Sequence, residues 1–381
     1  MTLTIVISII LLVIGLAGIM LSFLENFEEY RSYLLLLGLF MIAASIGLFV
    51  FNFFSDTTSI ISPIDSPIDT PVPPTATIVP EPAEPQSSEP IAPTLQEVDV
   101  SEINFEGCLL FVSDRSDDFE IYKIAGTPDN VTQLTNSPGL DISASWSLNG
   151  ESILFASKRD EGAGFQIYMM DKDGNNQQRV GDIQPGDNTS PYWSPDQQKI
   201  VFQSNRDTNN NPADDDHDLY TMNTDGTNVA SITLNEIDDT KPVWSTTGHI
   251  FFLSERTGQD EIYSMTAEGT ELKQLTTFDE LKGDISVSAD SKLAIFEAGG
   301  DIYSIDSDGQ TLNKLTTFND SSEGTPFWGK DENFIFFSSN RSGDWELYLL
   351  DRSNPQEHYF AQLTNNPTLD RYPVWYPCEA P

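Results

Sequence analysis

Between residues 108 and 378 one pattern returns six times, and it constrains the fold more than anything else in the chain. An aliphatic residue followed by tyrosine recurs at Tyr122, Tyr168, Tyr220, Tyr263, Tyr303 and Tyr348. Some 12 residues later stand Leu134, Val180, Ile232, Leu275 and Leu315, with Leu363 in the last copy, most of them followed by Thr. A second aromatic position follows at Trp146, Trp193, Trp244, Trp328 and Trp375, with Val287 in the fifth copy, and a third at Phe111, Phe155, Phe202, Phe252, Phe296 and Phe337. Aromatic and β-branched residues favour strands, and Asp173-Gly174, Asp225-Gly226, Glu268-Gly269 and Asp308-Gly309 supply the positive φ that tight hairpins need. Each copy therefore predicts four short strands, named here A (Trp), B (Phe), C (Tyr) and D (Leu-Thr).

A twisted four-stranded sheet cannot bury both faces alone, so successive copies must cover one another. Six of them predict an all-β, six-bladed β-propeller rather than an open solenoid, because the ends are complementary. The first copy lacks a Trp strand, and the last residues supply one. Blade 1 is expected to take strand A from residues 371–375 and strands B, C and D from 108–135. The only cysteines, Cys108 and Cys378, fall at this seam, where a disulfide would replace the missing A–B turn; two unrelated buried thiols are the other reading. A bonded pair implies an oxidising compartment.

The rest of the chain is of different character. Residues 1–54 carry only Glu25, Glu28, Glu29 and Arg31 as charges, and the apolar runs at about 3–24 and 33–54 are each long enough to span a bilayer as a helix. They read as a transmembrane helical hairpin with Arg31 in the cytoplasmic link, and the lack of an N-terminal base argues against a cleaved signal peptide. Residues 55–100 hold ten prolines and eight acids without a base, the composition of an extended, disordered linker. Residues 101–381 form the propeller, with 48 acids against 18 bases. A formal charge of −40 for the whole chain excludes a nucleic-acid partner, which needs a basic face.

The run Asp-x-x-Pro-x-Trp-Ser-Pro-Asp, an apolar strand ending in Ser-x-Arg, then Ile-Tyr, Asp-Gly and Leu-Thr resembles the TolB-like β-propeller repeat across about residues 107–378. The resemblance implies the six-bladed fold and, for function, an extracytoplasmic binding scaffold or a propeller of the kind attached to peptidases. Blade 5 departs from the pattern at Val287 and at Glu297-Ala298-Gly299 and is expected to be the least regular.

Two repeated charged slots stand out. Arg115, Arg159, Arg206, Arg256 and Arg341 end strand B, and Asp141, Asp239, Glu323 and Asp370 precede the Trp by five residues. Antiparallel neighbours bring these rings together on one face, either as an anion-binding rim or as a structural clamp, and the repetition favours the clamp. The gap from Phe to Tyr varies as 11, 13, 18, 11, 7 and 11 residues, so recognition is expected at the B–C and D–A loops and the channel mouth. The longest gap places Asp207, Asn209, Asn211, Asp216 and Asp218 in a partial match to a calcium loop, against a solvated acidic insertion; Pro212 occupies the position of the usual Gly. No hydrolase elbow, phosphate loop or zinc pair is present, and His217, His249 and His358 fall in different blades.

The expected protein is thus a membrane-anchored, extracytoplasmic, non-enzymatic scaffold for a protein or cell-envelope polymer, with no required cofactor. An enzyme acting on glycans or peptides at the channel mouth, and a sensory or complex-building membrane subunit, are the alternatives.

Overall fold

The computed structural model describes residues 94–102, 106–206, 216–233, 235–277, 281–318, 321–354 and 357–378. The expected hairpin at 1–54 and most of the linker lie outside them. Among the described residues no helix is long and apolar enough to cross a membrane.

Six antiparallel sheets follow one another around a ring, five of four strands and one of five. Blade 2 shows the common plan, with strands Asp141–Trp146, Ser152–Ser157, Gln166–Asp171 and Gln178–Arg179 running from the axis outward. Blade 1 closes the ring as the sequence requires. Its inner strand Asp370–Tyr376 pairs with Cys108–Ser113, opposing Trp375 to Leu109 and Tyr376 to Cys108. Cys108 and Cys378 are disulfide-bonded beside this pairing, with Cα atoms 5.5 Å apart.

Strand periodicity places the core between blades rather than within them. Side chains alternate across a strand, so Leu109 and Phe111 pack on Phe336, Leu347 and Leu349 of blade 6, whereas Leu110 packs on Ile153 and Phe155 of blade 2. The same division repeats at all six junctions. The strand-B phenylalanines are essentially unexposed, and each stacks within 6.0 Å of the strand-C tyrosine of its own blade. Burial on that scale contributes about 1.5–3 kcal/mol per large side chain.

Two details differ from the sequence reading. The outer strand is only two or three residues long in blades 2 to 5, and the Leu-Thr pairs follow it instead of forming it. The reason is that Thr is used as a side-chain hydrogen-bonding group, described below. Second, Thr94–Glu97, inside the stretch 55–100 read as linker, forms a fifth strand parallel to Glu357–Gln362 of blade 6. The prolines stop at Pro93, and blade 6 offers an outer strand long enough to accept a partner. Val98 and Val100 then pack at the junction of blades 6 and 1.

Candidate functional site

Chain direction defines two faces. The A–B and C–D turns, the disulfide and Thr94 lie on one; the B–C and D–A loops lie on the other, called the loop face below.

The two charged rings meet on the loop face inside each blade. Arg115 pairs with Asp370 at 2.6 Å, Arg159 with Asp141 at 2.7 Å, Arg256 with Asp239 at 2.8 Å and Arg341 with Glu323 at 3.1 Å, and all four carboxylates are 0% exposed. Blade 3 has Asn188 in the acid slot, whose Oδ1 accepts from Arg206 at 2.6 Å. The serine of each Ser-x-Arg accepts from Nε of its arginine at 2.7–3.0 Å. The guanidinium lies 4.3–4.8 Å from the strand-C tyrosine ring and 5.1–5.5 Å from the strand-B phenylalanine. Each arginine is thus tied to its own blade by side-chain hydrogen bonds and cation–π contacts, joined by an ion pair in blades 1, 2, 4 and 6, and Arg341 also stands 3.5 Å from the Phe318 ring of the loop leaving blade 5. In blade 5, which lacks the arginine, Lys314 pairs with Asp301 at 2.6 Å and stands over Tyr303.

A second set of acids, buried except for the half-buried Asp301, was not read from the sequence as a repeat, Asp218 alone being named there as a calcium-loop residue. The first residue of strand C is Glu120, Asp218, Glu261, Asp301 or Glu346, with Gln166 in blade 2. The threonine of Leu-Thr accepts from the next backbone N–H of strand C at 2.8–2.9 Å. Its hydroxyl donates to the acid, as Thr233 does to Asp218 at 2.9 Å and Thr276 to Glu261 at 2.5 Å. Loop residues then bridge to the next blade: Ser137 N–H donates to Glu120 and its hydroxyl to Asp141, and Asn366 likewise joins Glu346 to Asp370. The signal was legible, an acid one residue before Ile-Tyr or Leu-Tyr in five copies. Burial pushes Glu120 up to about 7, helped by the charge of Asp141, and Asp218 up to about 6; it also raises Glu323 and Glu346.

Asp218 therefore sits in a repeated structural slot. Of the other residues matched to a calcium loop, Asp216 is described, and Asp207, Asn209 and Asn211 lie outside the described residues. Among the described residues no three His, Cys, Asp or Glu side chains come close enough to hold a metal.

The channel wall is made by the inner strands; Leu281–Val287 of blade 5 shifts register, and the other five carry a kink. Ser143, Ser190, Lys241, Thr325 and Tyr372 adopt φ between 49° and 60°, and strand pairing slips by a residue there. Positive φ costs a side-chain-bearing residue about 1 kcal/mol or more, and the bulge turns that side chain towards the axis. A cavity of 530 Å³ results, lined by Phe119, Leu140, Phe165, Tyr192, Phe327 and Leu369 among others, with Lys241 and Asp284 ion-paired at 3.0 Å on one wall. It opens on the loop face.

The rim of the opening is built from equivalent positions. The carbonyls of Phe119, Phe165, His217, Gly300 and Trp345 each accept from the first residue of the next inner strand at 2.7–2.8 Å. Trp345, Phe119 and Phe165 occupy these equivalent positions in blades 6, 1 and 2, and Phe119 and Phe165 line the cavity. Across the opening His217 Nδ1 lies 3.1 Å from Asp238 Oδ1. Trp345 is the tryptophan outside the repeated slot, and its neighbour across the blade junction is Arg371, whose guanidinium lies 4.2 Å from the ring.

Six blades, a velcro-like seam and a cavity open at the loop face define a TolB-like six-bladed β-propeller. Residues 111–308 match the Tricorn protease N-terminal beta propeller domain, and the chain belongs to that family. Among solved structures it is similar to TolB from Acinetobacter baumannii, with 19% identity, a TM-score of 0.57, and coverage of 72% of this chain and 68% of that one. It is also similar to Kuenenia stuttgartiensis hydrazine synthase, at 16% identity and a TM-score of 0.60 over 73% of this chain and 48% of that one. A chain of a nidogen/laminin complex aligns at 9% identity and a TM-score of 0.53 over 68% and 98%. At these identities the likeness is one of fold.

Proposed function

We propose that this protein is a membrane-anchored, extracytoplasmic scaffold that binds a protein or envelope polymer at the loop face, without catalysing a reaction. The observation that carries the reading is the concentration of variable loops and of a cavity lined by Phe119 and Phe165 on one face, with Thr94 at the other. A chain of a nidogen/laminin complex has a similar fold. Asp207, Asn209, Asn211, Asp216 and Asp218 are the candidate calcium ligands, with a solvated acidic insertion as the other reading of that stretch.

The test is recovery of partners from envelope extract on the tagged full-length chain, with and without calcium. Glu161→Lys with Asp344→Lys, both exposed on the loop face, should abolish recovery, and Glu268→Lys with Glu271→Lys on the opposite face should not. Equal loss from both pairs would reject the assignment of the face. The His217–Asp238 pair at the rim favours a second reading, an enzyme acting on glycans or peptides; turnover of an offered substrate that His217→Ala removes would establish it.

A further inference from the structure

Three blade junctions on the loop face share one plan. The acid that opens strand C meets the acid that opens the next inner strand, and a loop residue two places beyond the docking threonine bridges them. Between blades 6 and 1 this residue is Asn366, whose N–H donates to Glu346 at 2.6 Å and whose amide donates to Asp370 at 2.7 Å; between blades 3 and 4 the amide of Asn235 donates to Asp239 at 2.8 Å. Neither Asp370 nor Asp239 keeps a buried oxygen without a partner. Between blades 1 and 2 the position holds Ser137, whose side chain has one donor fewer. Its N–H reaches Glu120 Oε1 at 2.9 Å and its hydroxyl reaches Asp141 Oδ2 at 3.2 Å, where Arg159 also donates at 2.7 Å. Glu120 Oε2 and Asp141 Oδ1 remain, both buried and without a hydrogen-bond partner among the described residues, on side chains that are 0% exposed.

The junction between blades 2 and 3 shows what fills such a gap. There the two acid positions differ together: they are Gln166 and Asn188, both buried, and each brings its own amide donor, which reaches loop carbonyls at 3.0 and 3.1 Å. A single proton does the same for Glu120 and Asp141. The two carboxyls lie within hydrogen-bonding reach of each other, and two carboxylates facing one another out of water do not both stay ionised. Arg159 and Ser137 donate side-chain hydrogens to Asp141 alone, so the proton sits on Glu120. On the elements packed against Glu120, the charged groups are Asp141 with Arg159 on its far oxygen, and Arg115 of blade 1, which is bound to Asp370. Thr135 and Ser137 in the loop, and Ser113 opposite on strand B, are uncharged.

We propose that a proton held between Glu120 Oε2 and Asp141 Oδ1 latches blade 1 to blade 2 and makes the cavity mouth sensitive to pH. The latch is placed to act there. Phe119, next to Glu120, accepts from the Asp141 N–H at 2.7 Å, and Leu140, next to Asp141, accepts from the Lys158 N–H at 2.9 Å; both side chains line the cavity. Loss of the proton leaves two buried negative charges face to face, and the loop 136–140, anchored through Ser137, is the segment that relieves them by opening. The direction follows from linkage. Glu120 is raised from 4.5 to about 7 in the closed form, so the latch is complete below about pH 4.5, weakens as the pH rises towards 7 and is open to its full extent above it.

The test is amide hydrogen exchange of the full-length protein in mild detergent at pH 5 and pH 8, corrected for intrinsic rates. The amides of Ser137 and Asp141 should exchange faster at pH 8 by about tenfold or more, since each pKa unit of coupling is a factor of ten. Gln184 and Asn188, whose N–H groups make the equivalent bonds to Gln166 and the Phe165 carbonyl, should show no such change. Glu120→Gln should hold Ser137 and Asp141 at their pH 5 protection throughout and remove one protonated-carboxyl band from the infrared spectrum at pH 5. The two junctions of the unmodified protein decide the matter even where the variant does not fold. Unchanged exchange at Ser137 and Asp141, or an equal increase at both junctions, would overturn the proposal and leave the partner reading of the loop face untouched.

Discussion

At the scale of single residues, the loop face is held by charge that has been taken out of water. Removing one partner of such a pair leaves the other buried and uncompensated. Arg159→Ala, which strips Asp141 of its cation and Tyr168 of its stacking partner, is therefore expected to destabilise the propeller by roughly 3 kcal/mol, read from denaturant unfolding. Glu120 acts in the opposite sense. Its pKa is raised in the folded state from 4.5 to about 7, so the native form binds more protons than the unfolded form in between. Stability contributed by its protonated form is full below about pH 4.5 and is lost as the pH rises through 7. Glu120→Gln, which keeps the acceptor for Ser137, should flatten this slope and raise the melting temperature at pH 8 relative to pH 5; an unchanged pH profile would contradict the burial argument. The charged slots were legible because they repeat. Phe119, Phe165 and Trp345 were not read as a set, since their equivalents in other blades are His217, Asp260 and Gly300, and nothing in the chain marks them as neighbours.

At the scale of elements, strands A to C followed from hydrophobic alternation and turn residues. The outer strand did not, because Leu-Thr looks like a β-strand and yet serves to dock strand D through the threonine hydroxyl. Thr276→Val keeps shape and removes that hydroxyl from Ile262 N–H and Glu261 together; a loss of about 1–3 kcal/mol is expected for the unsatisfied buried groups. The seam is the other critical element. The Cys108–Cys378 bond closes a loop of 270 residues, for which the chain-entropy argument gives an upper contribution of about 5 kcal/mol. Reduction should lower the melting temperature sharply, and Cys108→Ser should melt at the same lowered temperature with or without reductant.

At the scale of the whole molecule, closure is what makes six marginal sheets into one body. Deleting residues 370–381 removes the inner strand of blade 1 and uncovers the faces of blades 6 and 2. Loss of cooperative unfolding and an expanded scattering profile are expected; a truncated chain that melted unchanged would refute the ring. The excess of acids adds a general term, so moderate salt should stabilise by screening self-repulsion.

The amino-acid sequence alone determined the number of blades, the order of strands, the shared first blade and the clamp residues. These depend on alternation, turn chemistry and repetition, which are local properties readable along the chain. Only the tertiary structure decided that Lys241, Asp284 and Arg371 line one cavity with Phe119 and Phe165, and that Trp345 lies against Arg371. Those residues come from different blades and their types follow no repeat, and they meet because the twist of six sheets around a common axis sets which inner strands face each other.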